Sequence, residues 1–249
     1  MIGTRFMRQR STVGGFLFGL TSLLGSTESS VSLAQAIPYT VMAPLVQYFE
    51  RSQTDEIDLA RSAAPASISA NADVLTLSRD GYKTTIKGTN GFVCLVERSW
   101  ATAFGDSEFW NPKFRAPTCY NPAAARTVLP RYMERTGWVL AGVSKTEMIA
   151  RTRAELSANT FALPEAGAMS YMMSRQTHLH DAEGHWHPHL MFYLAKIEAA
   201  DWGANLEGSP IFADGSTIFA EGGNAEPVTV FFVPVTKWSD SSPADTTVH

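Results

Sequence analysis

Five of the six histidines of this 249-residue chain lie between Thr177 and Lys196, in THLHDAEGHWHPHLMFYLAK, with Asp181 and Glu183 among them. Imidazole and carboxylate so closely spaced offer two kinds of chemistry: proton transfer near neutral pH, and capture of a divalent transition ion by neutral ring nitrogens. If Gly184 ends a turn and a strand begins at His185, then His185, His187 and His189 point one way with Met191 and Tyr193. Trp186, Leu190, Phe192 and Leu194 point the other way. Histidines two apart on a strand stand about 7 Å apart at Cα, close enough to share an ion about 2.1 Å from each nitrogen. His178 or His180, in the loop across the hairpin, would supply a further ligand. Zinc is the expected ion, and iron, manganese, nickel and copper suit the same donors. In a hydrolytic version, Glu183 or Asp181 would act as general base on a bound water whose pKa the ion lowers towards about 7.

Pro188 constrains this picture. It has no N–H to give to a ladder, so the strand must be an edge there, or bulged. A bulge would turn His189 to the opposite face and leave the pair His185/His187 intact. The same imidazoles also suit a metal-free acid–base or pH-responsive role, or plain hydrogen bonding at the surface or in the core. Other templates do not fit. The cupin pattern follows His-x-His with a glutamate further on. Here Glu183 comes too soon after His178-Leu179-His180, and Glu198 is the first glutamate after His185-Trp186-His187. There is no His-Glu-x-x-His, no Gly-x-Ser-x-Gly and no phosphate-cradling glycine loop, and nothing marks Ser170 or Ser174 as a nucleophile.

A second candidate lies upstream. Trp100 to Tyr120 carries Trp100, Phe104, Phe109, Trp110, Phe114 and Tyr120 together with Pro112 and Pro117. A loop of this length without regular structure is usually functional or tethered. Trp100, Trp110 and Phe114 could wall a small-molecule site, the metal-free alternative, or plug the edge of a core. Cys94 and Cys119 are the only cysteines, and without a Cys-x-x-Cys they are expected to form a structural disulfide. Closing about 25 residues would stabilise the fold by about 3 kcal/mol in the chain-entropy model.

The elements that must position these residues read as α+β. Ile37–Arg61 holds two short helical patterns, the second capped by Thr54 with Asp55 and Glu56 in its first turn. From Asp73 the period becomes that of strands. Val74–Leu77, Tyr82–Lys87 and Phe92–Val96, joined by turns at Asp80-Gly81 and Thr89-Asn90-Gly91, predict a three-stranded antiparallel meander. Asn121-Pro122 starts a helix that Pro130 should kink or divide. Ser144-Lys145-Thr146-Glu147 is a capping box for another, ended by Asn159. Met169–Met173 and Leu190–Leu194 predict a hairpin around the histidine loop, and further strands are expected near Ile211-Phe212, Thr217–Phe219 and Val228–Val233. The helices near 121–136 and 145–158 should pack on one side of one antiparallel sheet.

The ends bound the rest. Arg5, Arg8 and Arg10 precede an apolar run, Val13 to Leu24, and then Ala34-Gln35-Ala36, the order of a secretory signal cleaved after Ala36. The run falls short of the about 20 residues that span a bilayer. The expected layout is a signal peptide at 1–36, one domain over 37–236 and a polar tail at 237–249. The mature protein would be periplasmic or secreted, with no membrane attachment after cleavage. The first 36 residues take three arginines and one glutamate from totals of 20 basic and 24 acidic, leaving 17 and 23, a formal charge of −6. An acidic balance of this kind disfavours nucleic acid, which asks for a concentrated basic face. The segments GTNGFVCLVERSW, GHWHPHLMFY and VTVFFVPVTKW resemble those of uncharacterised exported bacterial proteins. That resemblance implies secretion and a shared fold over most of the mature chain, and no activity.

Overall fold

The β-prone runs after Asp73 join in one sheet because each carries apolar side chains on at least one of its faces. The computed structural model describes residues 39–160, 162–181, 187–195, 197–213 and 228–244. Its strands are β1 (Asp73–Ser78), β2 (Gly81–Ile86), β3 (Val93–Glu97), β4 (Ala116–Tyr120), β5 (Met169–Met172), β6 (His189–Ala195), β7 (Phe212–Ala213) and β8 (Val228–Pro234). They lie in the order β2-β1-β3-β4-β5-β6-β8-β7, antiparallel throughout except for β1 beside β3. With its helices this makes a single α+β domain. The expected strand at Thr217–Phe219 lies outside the described residues.

The parallel pair corrects the predicted meander. Asp80-Gly81 closes the β1–β2 hairpin as expected, with Gly81 at φ +104°. The chain then passes across the start of β1 and returns on its other side, so β2 is an edge strand and not the middle one. Gly88 sits at the crossing. A Cβ there would lie 2.3 Å from the Asn71 carbonyl oxygen and the Ala72 carbonyl carbon, so the approach requires glycine. Asp73 secures the crossing by accepting from Gly88 N–H at 2.6 Å and from Lys87 Nζ at 2.5 Å.

Among the described residues five α-helices cover the sheet: α1 (Gln53–Arg61), α2 (Ala66–Ser69), α3 (Pro122–Thr127), α4 (Leu129–Leu140) and α5 (Lys145–Ser157). Pro130 does divide its helical run, standing at the second position of α4 after a break at Val128. Ala124, Leu129, Tyr132, Val139 and Met148 from α3, α4 and α5 share one core with Leu95, Tyr120, Met172, Met191 and Tyr193 of the sheet. α1 covers the other face, where Leu59 and Ala60 meet Val74, Cys94, Val96 and Cys119. Its cap is Ser52, whose Oγ accepts from Asp55 N–H at 3.0 Å, and not Thr54. Cys94 and Cys119 stand opposite each other in the β3–β4 register and are joined by the expected disulfide. Beyond β8 the chain stays on the body up to Ala244. Trp238 is buried, and Ser239 N–H donates to the Met173 carbonyl at 2.9 Å, so residues 237–244 of the expected polar tail pack on the body, and 245–249 lie outside the described residues.

Candidate functional site

β5 and β6 form the predicted hairpin, with Met169 opposite Phe192 and Met172 opposite His189. The predicted alternation also holds: His189, Met191 and Tyr193 face inward on one side of β6, while Phe192 and Leu194 belong to a small cluster around Phe231 on the other. The strand begins at His189, one residue after Pro188, so the missing N–H falls outside the ladder and β6 is neither an edge nor bulged there. Pro188 instead offers its carbonyl to Val235 N–H at 2.8 Å. His185 and Glu183 lie outside the described residues.

His189 is a core residue. It is 2 % exposed, its ring lies 5.8 Å from that of Phe232, and its Nδ1 bonds the His187 carbonyl at 2.8 Å. Burial pushes its pKa down to about 4, so it stays neutral at physiological pH. This sets it in the core and apart from the expected row of ligands. His187, half-buried, serves it through its backbone carbonyl.

The structure brings together instead the two earlier histidines and the aromatic loop. Arg115 and His178 exchange both backbone hydrogen bonds, each at 2.8 Å, which draws the chain after β5 alongside the residues before β4. With Leu179 packed against the main core, His178 and His180 flank it on the outward side, with side chains 32 % and 47 % exposed. Each turns its Nε2 to a carboxylate. His178 meets Asp181 Oδ1 at 3.0 Å, and His180 lies 3.6 Å from Glu108 Oε1, within ion-pair reach. An ionised carboxylate only accepts, so Nε2 of His178 carries the proton.

Asp181 is the hub of the cluster. Besides His178 it accepts from Tyr39 Oη at 2.6 Å, Lys113 Nζ at 2.9 Å and Asn111 Nδ2 at 3.3 Å. These donors, Tyr39 first, hold its carboxyl well below the usual carboxylate range. It is therefore a permanent anion and a poor proton acceptor, unlike the general base that the sequence suggests. Asn111, fully buried, links the two halves, since the same amide nitrogen reaches Glu108 Oε2 at 2.5 Å. Tyr39, Glu108, Asn111 and Lys113 were not legible as site residues, because the partner of each lies some 70 to 140 residues away.

Trp100, Trp110 and Phe114 do not wall a ligand site. They are 0 %, 7 % and 4 % exposed and belong to the main core, where Trp100 Nε1 donates to Thr136 Oγ1 at 2.9 Å. Burying the aromatics orders the loop and sets its polar residues beside the histidines, Glu108 and Asn111 buried and Lys113 exposed. Ser170 and Ser174 are spoken for by Tyr193 at 2.8 Å and Ser62 at 2.6 Å.

Two buried acids stand apart from the cluster. Glu56 in α1 pairs with Arg98 at 2.7 Å and accepts from Leu77 N–H at 3.2 Å. Glu97, at the end of β3, accepts from Tyr120 Oη and from Thr118 Oγ1, and burial pushes its pKa up to about 7.

Among the described residues, no three histidine, cysteine, aspartate or glutamate side chains come together as a ready metal ligand set. No helix among them is long and apolar enough to cross a membrane. Comparison with protein-family models, with curated proteins and with solved structures finds no match to the chain.

Proposed function

We propose that this chain is an exported protein that binds one divalent transition ion, zinc foremost, at its histidine loop, with His178 and His180 as its ligands among the described residues of that loop. The observation that carries this reading is the pairing of both imidazoles, two residues apart, with carboxylates through Nε2. A carboxylate behind an imidazole fixes its tautomer and raises its basicity, and the opposite ring nitrogen takes the metal. Asp181 and Glu108 are thus supporting groups and Nδ1 is the ligating atom. The third ligand is assigned to His187 or His185, and Glu183 keeps its assignment as general base for a bound water should the ion support hydrolysis. Export rests on the N-terminal pattern, and the Cys94–Cys119 disulfide suits an oxidising compartment. The metal-free reading loses its aromatic wall, since those rings fill the core.

Elemental analysis of the untagged protein by mass spectrometry tests the proposal. About one equivalent of a transition metal, lost in His178→Ala/His180→Ala, is the expected result. No metal after exposure to zinc and copper, or full metal content in the double variant, would overturn it.

A further inference from the structure

The segment from Tyr39 to Glu50 lies far from the histidine loop in sequence and is fastened beside it at both ends. At its inner end Tyr48 is fully buried, with its ring 5.2 Å from that of Trp100. Its hydroxyl donates to the Trp110 carbonyl at 2.8 Å and accepts from Ala43 N–H at 3.2 Å. Arg115, whose backbone pairs with His178, pairs with Glu50 and donates to the Phe49 carbonyl at 3.2 Å. At its outer end Tyr39 donates to Asp181 at 2.6 Å. The aromatic loop and the histidine loop are therefore held by one strap, with Tyr48 as its anchor and Tyr39 as its latch.

We infer that Tyr39 is a positioning residue for the histidine site: it fixes the Asp181 carboxylate, which in turn fixes the His178 ring. This inference rests on the metal reading for its functional consequence and on geometry alone for its structural one. Tyr39 supplies the shortest of the four donors at Asp181, and the carboxylate reaches His178 through Oδ1 while Tyr39 and Lys113 hold Oδ2. Without the phenol, Oδ2 retains only the ammonium of Lys113, on a side chain 64 % exposed, and Oδ1 has only the long 3.3 Å contact from Asn111 beside the imidazole, so the carboxylate is held more loosely against His178. Loss of such a supporting group lowers metal affinity by about 10- to 100-fold.

The test compares Tyr39→Phe and Tyr48→Phe with the wild-type full chain. Two quantities are read: zinc affinity, by competition with a chromophoric chelator, and solvent exchange of the His178 Nε2 proton, by nitrogen-15 NMR of the zinc-free protein. In Tyr39→Phe, zinc binding weakens at least about 10-fold and the Nε2 proton exchanges faster, while the melting temperature stays near wild type. Tyr48→Phe, which removes a buried hydrogen bond, lowers the melting temperature and leaves the Nε2 proton protected. An unchanged Nε2 proton in Tyr39→Phe would overturn the inference, as would faster exchange with unaltered zinc affinity. Absence of zinc binding by the wild type would instead sink the metal reading, and the proton exchange would still decide whether Tyr39 positions His178.

Discussion

Glu97 gives the most exacting prediction. Its carboxyl lies inside the core, and burial raises its pKa from 4.5 to about 7 against the opposing hydrogen bonds from Tyr120 and Thr118. In the unfolded chain the group ionises at its ordinary value. Between pH 4.5 and 7 the folded state therefore binds more protons than the unfolded one, and stability falls as pH rises. The contribution is fully present below pH 4.5 and is lost as pH passes through about 7. A rise of this size is worth about 3 kcal/mol at 1.36 kcal/mol per pH unit. Glu97→Gln removes the ionisation and keeps an acceptor and a donor in place, at a cost of about 1 kcal/mol for imperfect hydrogen bonding. Relative to wild type, the variant should be slightly less stable at pH 4.5 and about 2 kcal/mol more stable at pH 8. For a domain of this size that gain is roughly 4–8 °C in melting temperature. The wild-type profile alone would mislead, because His189 acts in the opposite sense. Its pKa is depressed to about 4, so its unfolded form takes up a proton as pH falls below 6.5 and stability declines towards acid. The difference between the two melting curves, followed by circular dichroism from pH 4.5 to 8, isolates Glu97. A difference that does not change with pH would refute the reasoning.

Two further predictions concern the sheet, and two have been stated with the histidine site. Replacing both Cys94 and Cys119 by alanine should lower stability by about 3 kcal/mol, measured by urea denaturation at equal pH, because the cross-link closes a sequence separation of 25 residues. A loss under about 1 kcal/mol would mean that the bond forms without constraining the unfolded chain. Gly88→Ala should destabilise by at least about 2 kcal/mol, since backbone atoms of Asn71 and Ala72 occupy the place of the new methyl group. A melting temperature equal to wild type would show that the crossing over β1 is looser than described. His178→Ala/His180→Ala should abolish metal uptake, and Tyr39→Phe should weaken it.

Local patterns of residue type settled much of the architecture before any packing was known. Turn chemistry at Asp80-Gly81, the cap at Asn121-Pro122, the division at Pro130 and the alternation that puts His189, Met191 and Tyr193 on one face follow from steric and periodic rules that act over a few residues. The disulfide followed from there being two cysteines and no others. What the sequence could not specify was which partner each element would find. The second Xaa-Gly turn is compatible with a meander, but the chain crosses β1 at Gly88, so β3 pairs in parallel and the expected middle strand becomes the edge. Glu56 reads as a helix-dipole acid in a first turn, and only its buried contact with Arg98 makes it a core residue. The histidines show the same division most clearly. Their types and spacing announce ligand chemistry, yet the sheet buries His189 while His178 and His180 stay partly exposed. The Arg115–His178 bridge sets the histidine loop against the aromatic loop, where His180 meets Glu108. Imidazole chemistry is written in the residue, and so is the Asp181 carboxylate three residues from His178, whereas the Glu108 carboxylate beside His180 and the Tyr39, Asn111 and Lys113 donors at Asp181 are delivered by tertiary contact across some 70 residues or more, beyond the reach of any local rule.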